Sequence, residues 1–441
     1  MNMRLDPSST GLINAPYWWD KAPPELLPRA DLPRAADVVV VGAGYTGLHA
    51  ALVLARAGKS VVVVDRQVPG SGASRRNAGF LGRVLKKSFS DLVEKKGLAK
   101  ATVMYKELDQ AYRSVLEFAR TEKIDCHAVV EGRFVGATSP EHHRLLEQEL
   151  ALMERHLKLP FHMISKAEQH SEMATDAYYG GAVIPDLGSI HPGLYHKGMQ
   201  DRAIEAGVII SAPNEVREIK LNPSGAGNLV ITAGGSIAAK DVIVATNGYT
   251  TKNLKWFARR LIPFTGYMAA TEVLSENLIK KVIPHRRVII DTDTNIDFFR
   301  VAPDSNRVIM GGATASGMSR TDEIHTKLRQ IMVGIMPDLA EAQFSHVWSG
   351  YCAGTFDMMP HIGGKDGVWY AMGYNFAGVT MGTHMGRKLA LRILGDPEGR
   401  SAFETDSFPS MPFYNGNSWF MPLVMKAFDW QDAQVAKRGR S

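Results

Sequence analysis

The chain has 441 residues, of which 45% are hydrophobic and 22% are charged, and its formal net charge is +6 at pH 7. This length favours two or three domains, and the composition is that of a soluble globular protein, which excludes disorder over most of the chain. The basic surplus is small and scattered in short clusters, so we expect no nucleic-acid partner.

The sequence contains two cysteines, Cys126 and Cys352, which lie far apart and outside any metal-type spacing. We therefore expect neither a disulfide framework nor a metal site. Residues 1–24 carry acidic and proline residues where a secretory signal needs an unbroken apolar core, so we expect a cytoplasmic protein. The uncharged window Val38 to Ala55 contains three glycines and a histidine, which disfavours a membrane span.

The first recognisable elements form a strand, turn, helix and second strand within about thirty residues. A valine run at residues 38–41 predicts a strand covered on both faces, and Leu48 to Ala57 predicts a helix. A second valine run at residues 61–64 ends at Asp65. This order indicates a βαβ unit.

The turn between strand and helix reads Gly42-x-Gly44-x-x-Gly47. Glycines here let the backbone turn tightly and approach a pyrophosphate, whose charge is held by free N–H groups and the positive end of the next helix. Asp65 stands where a carboxylate accepts hydrogen bonds from a ribose. The sequence therefore predicts a dinucleotide site.

Similar patterns, in which an apolar run ends at a glycine-bearing turn, recur later in the chain. The later elements are a glycine- and serine-rich loop at 70–82, helical patterns at 91–123 and 141–157, a strand at 242–244 running into Gly248, and a strand at 369–372, a turn and a helix from Val379 to Leu394. Because cofactor-type turns are dispersed from Gly42 to Gly378, the chain must revisit one sheet.

Three motifs carry a family resemblance: the Gly72–Gly79 loop, which suits a cofactor larger than a nicotinamide, the Ala245–Thr250 turn, and the Gly373–Val379 segment. With the glycine triplet, they resemble the FAD-dependent D-amino-acid oxidase family, and within it the γ-glutamylputrescine oxidase-like branch. The resemblance extends over most of the chain and is strongest in the flavin-binding part.

The resemblance implies an α/β and α+β fold, with a Rossmann-like FAD-binding domain and an interleaved antiparallel-sheet substrate domain. We predict an N-terminal extension at 1–35, the FAD-binding domain at 36–84, 190–252 and 346–405, the substrate domain at 85–189 and 253–345, and a C-terminal segment at 406–441.

It also implies which residues hold FAD, a non-covalent cofactor in our prediction because Cys352 does not match the expected position of an attaching cysteine. These residues are Gly42, Gly44, Gly47, Asp65, Arg66, Ser74, Arg76, Asn77, Ala78, Gly79, Val216, Gly248, Gly373, Gly378, Val379 and Thr380. Independently of the family, the helix beginning near Val379 offers a positive dipole to the charge that reduced flavin accumulates.

The expected reaction removes a hydride from the carbon next to an amine, giving an imine. Candidate catalytic residues are Tyr267, Phe299, Arg300 and Tyr351; Phe298 and Trp348 are further wall candidates. Aromatic walls suit an alkylammonium group, and an arginine suits a carboxylate.

We predict oxidation of a primary or secondary amine, related to γ-glutamylputrescine, with an oxidase favoured over a dehydrogenase and molecular oxygen or another acceptor as partner. An enzyme for glycine, sarcosine, proline or a D-amino acid is the alternative, and a non-catalytic flavin-binding protein is the third. Whether the chain forms a homo-oligomer is open. The apolar C-terminal segment is expected to dock on the body rather than on a membrane.

Overall fold

A computed structural model describes residues 11–28, 31–221, 227–405 and 407–438. The predicted N-terminal extension and C-terminal segment therefore lie partly outside the described residues. The helices are α1 (Tyr45–Arg56), α2 (Phe89–Lys96), α3 (Leu98–Thr121), α4 (Pro140–Leu157), α5 (Pro192–Glu205), α6 (Lys255–Ala258), α7 (Glu276–Val282), α8 (Thr321–Ile335), α9 (Gly378–Ile393) and α10 (Met421–Arg438).

Among the described residues, the strands belong to two large sheets and one small one. They are β1 (Ala35–Val41), β2 (Val61–Val64), β3 (Phe80–Leu81), β4 (Arg133–Gly136), β5 (His162–Ile164), β6 (Gly181–Ile184), β7 (Gly188–Ser189), β8 (Ile209–Ser211), β9 (Val216–Lys220), β10 (Asn228–Thr232), β11 (Gly235–Val244), β12 (Ile262–Thr271), β13 (Val288–Asp291), β14 (Phe298–Val301), β15 (Val308–Gly312), β16 (Phe344–Gly354), β17 (His361–Lys365) and β18 (Val368–Met372).

The first sheet has the order β17-β18-β11-β1-β2-β8 among the described residues, with β9 and β10 attached beside β11. The pairs from β18 to β8 are parallel. Val38 and Val40 pack into one core and Val39 and Val41 into another, because alternate residues face opposite sides of a sheet. This confirms the predicted return of the chain to one Rossmann-like sheet.

Helices α1 and α9 pack closely on one face of this sheet. A Cβ at Gly386 of α9 would lie 2.4 Å from the Thr46 carbonyl oxygen of α1. Only a residue without a side chain allows this approach. The contact holds both helices against the same sheet, with their N-terminal ends beside the glycine turn.

The second sheet has the order β16-β12-β15-β14-β13-β4-β6-β5 and is antiparallel except for the pair of β13 with β4. Helices α7 and α8 contribute Ile279, Val282, Ile324, Leu328 and Met332 to its buried core. The sheet confirms the interleaved antiparallel part of the predicted fold. The residue bounds of the two domains stay a prediction.

The helical pattern at 91–123 was predicted as one helix, and this prediction is corrected by the structure. The pattern is interrupted at Gly97, whose φ of +80° is left-handed, so two helices, α2 and α3, replace one.

The C-terminal helix α10 packs against α4, as expected for docking on the body. In the part of the chain that the structure describes, none of the helices is long and apolar enough to cross a membrane.

Candidate active site

Two adjoining cavities lie at the carboxyl edge of the first sheet. The first is lined by the glycine turn, the end of β2, the start of β9 and the turn after β11. The second has a volume of about 400 Å³ and extends between the second sheet and α10. Both cavities share a boundary formed by Ala73, Asn77, Tyr351, Cys352, Asn375, Phe376 and Val379, so together they form one continuous cleft.

The glycine turn of the first cavity is built on close backbone contacts. Gly42 has a φ of +109°, and a Cβ there would lie 2.9 Å from the Ala245 carbonyl oxygen. A Cβ at Gly47 would lie only 1.9 Å from the Gly42 carbonyl oxygen. The triplet therefore brings backbone N–H groups and the N-terminus of α1 to the cavity, which is the arrangement that binds a pyrophosphate.

Asp65 lies at the end of β2 and lines the same cavity. Its Oδ2 accepts a hydrogen bond from the Ala43 N–H at 2.7 Å, and its Oδ1 accepts one from the Gln67 N–H at 2.9 Å. Burial raises the pKa of this carboxyl, and these two N–H groups oppose that effect. Each oxygen retains a second lone pair, which suits a ribose hydroxyl.

The loop after β2 is fixed from beneath by Arg75, which sequence analysis did not single out. Arg75 is 2% exposed, and its guanidinium donates to the His196 ring, to Gln200 and to the carbonyl oxygens of Ala22 and Pro23. These contacts tie the loop to α5 and to the N-terminal segment. Ser74 and Asn77, its predicted cofactor residues, line the first cavity as a result.

The N-terminus of α9 closes the boundary between the two cavities. Gly373, with a φ of +76°, and Phe376, with a φ of +79°, make the turn that precedes the helix. The Gly373 N–H donates to Asn247 Oδ1 at 2.9 Å, which fastens this turn to the segment after β11. The first N–H groups of α9 lack carbonyl partners within the helix and are available to a ligand.

The predicted cofactor residues fall into two groups. Most line one of the two cavities: Gly42, Gly44, Asp65, Arg66, Ser74, Asn77, Val216, Gly378 and Val379 line the first, and Arg76, Ala78, Gly79 and Thr380 line the second. Gly47, Gly248 and Gly373 line neither. Gly47 packs on Gly42, and Gly248 packs on the Cys352 carbonyl oxygen, so these glycines shape the backbone around the cleft.

The second cavity is lined largely by apolar and aromatic side chains. Four of the six substrate candidates line it: Tyr267, Phe298, Trp348 and Tyr351. Phe299 points to the opposite face of β14 and is fully buried in the core under α8. Arg300 is 2% exposed and donates through Nη1 to the Ala78 and Ile190 carbonyl oxygens, so it ties the loop after β2 to the segment before α5 and does not line the cavity.

The formally charged side chains that line this cavity are all cationic among the described residues: Arg76, Lys86 and Arg133. Sequence analysis missed Lys86 and Arg133, because their positions carry no motif. It also missed five residues of the C-terminal segment that close the cavity: Phe420, Met421, Val424, Met425 and Phe428. The apolar stripe of the C-terminal segment was the sequence signal that could have identified them, because this stripe covers the second cavity.

A family model described as DAO, FAD dependent oxidoreductase, matches residues 37–392. The gamma-glutamylputrescine oxidoreductase of Escherichia coli K12 is 31% identical, covering 88% of this chain and 90% of its own length. The probable oxidoreductase OrdL of Rhizobium meliloti is 27% identical, covering 94% of this chain and 96% of its own length.

Solved structures give the same fold. The crystal structure of glycine oxidase from Geobacillus kaustophilus superposes with a TM-score of 0.72 at 21% identity, covering 86% of this chain and 99% of that one. L-proline dehydrogenase from P. horikoshii gives a TM-score of 0.68 at 18% identity, covering 84% and 96%. At 21% and 18% identity, these similarities show a shared fold and nothing more specific.

Proposed function

This chain belongs to the family of FAD dependent oxidoreductases, and we propose that it oxidises a small amine bound in the second cavity. The observation that carries the proposal is the continuous cleft, in which a dinucleotide-type turn and an apolar chamber meet at the N-terminus of α9. The similarity to the gamma-glutamylputrescine oxidoreductase supports an amine with a linear chain as the substrate.

The donor set of the cleft fits FAD. Gly44 would present its backbone N–H to the pyrophosphate, while the Gly42 N–H donates to the Val64 carbonyl oxygen and holds the turn, and Asp65 would present carboxylate oxygens to the adenosine ribose. Gly378 and Val379 begin α9 at the boundary between the cavities, where helix N–H groups would face the flavin ring. When bound, FAD would supply the electron acceptor, taking up from the substrate carbon one hydride, which carries two electrons and one proton.

The chain's own contribution is to hold the amine in its reactive form. An amine reacts as the neutral base, and burial in an apolar chamber lowers the pKa of an ammonium group. The positive charges of the chamber also lower the pKa of a bound ammonium group, because like charges repel. The Tyr267 hydroxyl donates to the Met318 carbonyl oxygen at 2.8 Å, and the Trp348 ring N–H donates to the Arg76 carbonyl oxygen at 2.9 Å. These hydrogen bonds fix the two aromatic rings as rigid walls of the chamber.

The chamber volume bears on substrate size. About 400 Å³ lies within the range of pockets that hold drug-sized ligands. The flavin ring would fill part of this volume, because the predicted cofactor residues Ala78, Gly79 and Thr380 line the same chamber, and the remaining space would hold the amine. We propose molecular oxygen as the electron acceptor and a non-covalent flavin, since burial raises the pKa of Cys352 to about 12 and keeps its thiol protonated.

Anaerobic flavin bleaching tests the proposal. The purified protein is expected to be yellow and to lose its flavin absorption at about 450 nm when linear amines are added without oxygen. Peroxide should form when air is then admitted. Reduction by glycine, sarcosine, proline or a D-amino acid alone would select the alternative. Bound FAD that no amine reduces would support the non-catalytic reading and overturn the proposal.

A further inference from the structure

Helix α10 forms one wall of the second cavity, and it lies beyond residues 37–392, which the family model matches. An apolar stripe of the helix and the residue before it line the chamber: Phe420, Met421, Val424, Met425 and Phe428. The opposite face is open to solvent, since Leu423 is 63% exposed and Trp430 is 66% exposed. One layer of helix therefore separates the chamber from solvent on this side.

The start of α10 is attached firmly to the second sheet. The buried Tyr414 donates through its hydroxyl to the Leu261 carbonyl oxygen at 2.8 Å, and the Ser418 hydroxyl donates to the Pro263 carbonyl oxygen. Gly416, between these two anchors, has a φ of +92° and makes the turn that leads into the helix. Both anchors are neutral hydrogen bonds to the beginning of β12.

The far end of α10 is held against an opposing charge. Asp432 accepts hydrogen bonds from the Thr294 N–H and from the Thr294 hydroxyl, each at 2.8 Å, and the Asn295 amide donates to Asp429 at 3.4 Å. Burial raises the pKa of the neighbouring Asp293, and the carboxylates of Asp432 and Asp429 raise it further. Because like charges repel, this end is the one that separates more easily.

Thr294 connects this end of the helix to the interior of the chamber. Thr294, Asn295 and Ile296 all line the second cavity. The Thr294 carbonyl oxygen accepts a hydrogen bond at 2.7 Å from Lys86, which lines the cavity as well and attracts Asp432. A ligand in the chamber therefore contacts the same loop that holds α10.

We propose that α10 is the lid of the substrate chamber, hinged at residues 414–418 and latched by Asp432 on Thr294, and that its inner stripe selects amines by their carbon chain. The inference rests on the proposed function for the amine, whereas the lid stands on its own contacts. Each methylene group that Val424 and Phe428 help to bury strengthens binding about fourfold. Longer linear chains therefore hold the lid closed better than short ones.

Binding of linear alkan-1-ols to the FAD-loaded protein without oxygen, followed by calorimetry, tests the inner stripe with ligands that contain no amine. Affinity is expected to rise from butan-1-ol to octan-1-ol by about fourfold for each methylene group. Val424→Asn should weaken octan-1-ol binding about tenfold, because the chamber strips water from the new amide. Leu423→Asn, one residue away on the exposed face, is the matched control and should leave this binding unchanged.

Hydrogen exchange of residues 421–430, measured by mass spectrometry, tests the latch. A released helix of 18 residues is marginally stable in water, so Asp432→Ala should speed this exchange about tenfold. Bound octan-1-ol should slow the exchange in the unsubstituted protein. Gln431→Ala, at the adjacent exposed position, is the control and should leave the exchange unchanged.

Equal octan-1-ol affinity in folded Val424→Asn and Leu423→Asn proteins would overturn the inference. So would an unsubstituted protein that does not bind octan-1-ol, or whose α10 exchanges equally fast with and without it, and neither result depends on the folding of a variant. Flavin that no amine reduces, together with octan-1-ol binding that depends on Val424, would refute the proposed function and leave the lid standing.

Discussion

Substitution of Gly47 by alanine tests the glycine turn most directly. Gly47 lies within α1, so alanine would suit its backbone and the effect must come from the added methyl group. That group would lie 1.9 Å from the Gly42 carbonyl oxygen, whereas real contacts of this kind are at least 3.0 Å. The turn must therefore move by about 1 Å, which misaligns the N–H groups aimed at the pyrophosphate.

Each hydrogen bond to a charged group contributes about 1.5–3 kcal/mol, so loss of one weakens FAD binding about tenfold to hundredfold. Titration of the apoprotein with FAD, followed by quenching of flavin fluorescence, measures this loss. Gly334→Ala is the control, because Gly334 also lies in a helix, α8, and a Cβ there meets no atom within 4 Å. FAD affinity of Gly47→Ala equal to that of Gly334→Ala would refute the role of the turn.

Two further predictions concern buried ionisable groups, and a third concerns the attachment of the flavin. Burial opposes ionisation of Glu107, but hydrogen bonds from His384, Ser401 and the Ala402 N–H lower its pKa overall. Glu107→Gln should therefore cost about 1–3 kcal/mol of unfolding free energy at pH 7, and melting temperatures should show the difference narrowing below about pH 4.5, where the carboxylate gains its proton. Burial, with Asp293 nearby, raises the pKa of Asp297 to about 7, so stability falls as pH rises from about 4 to 7. Asp297→Asn should add about 1–2 kcal/mol in urea unfolding at pH 8 and less at pH 5; an equal gain at both would contradict this sign. Acid precipitation should release all yellow colour to the supernatant, whereas colour kept in the pellet would indicate a flavin attached through Cys352.

The cofactor half of the site was largely predictable because its signals are local. A glycine triplet between a buried strand and a helix, with Asp65 at the end of the next strand, places its groups by backbone geometry within about thirty residues. The structure brings these groups to one cavity. Val216 lines the same cavity from a strand far along the chain, and it was assigned only through the family resemblance.

The substrate half depends on which way each strand presents its side chains. Phe298 and Phe299 are adjacent and chemically alike, yet one lines the chamber and the other lies in the core, since successive residues of a strand face opposite sides. The phase of that alternation is set by the packing of α8 and not by the local sequence. Arg133 on β4 was missed because its position carries no motif, and its place in the wall of the chamber is visible only in the folded chain.

The order of strands in the first sheet sets the order in which the protein becomes functional during synthesis. β1 emerges early, yet it lies between β2 and β11, and β11 borders β18 near the end of the chain. The edge of β1 therefore waits for β11 while residues 42–234 are translated, which exposes unpaired backbone groups. Flavin capture belongs to the finished chain, because a nascent fragment ending before Gly378 has the pyrophosphate turn but lacks the helix that would meet the isoalloxazine ring.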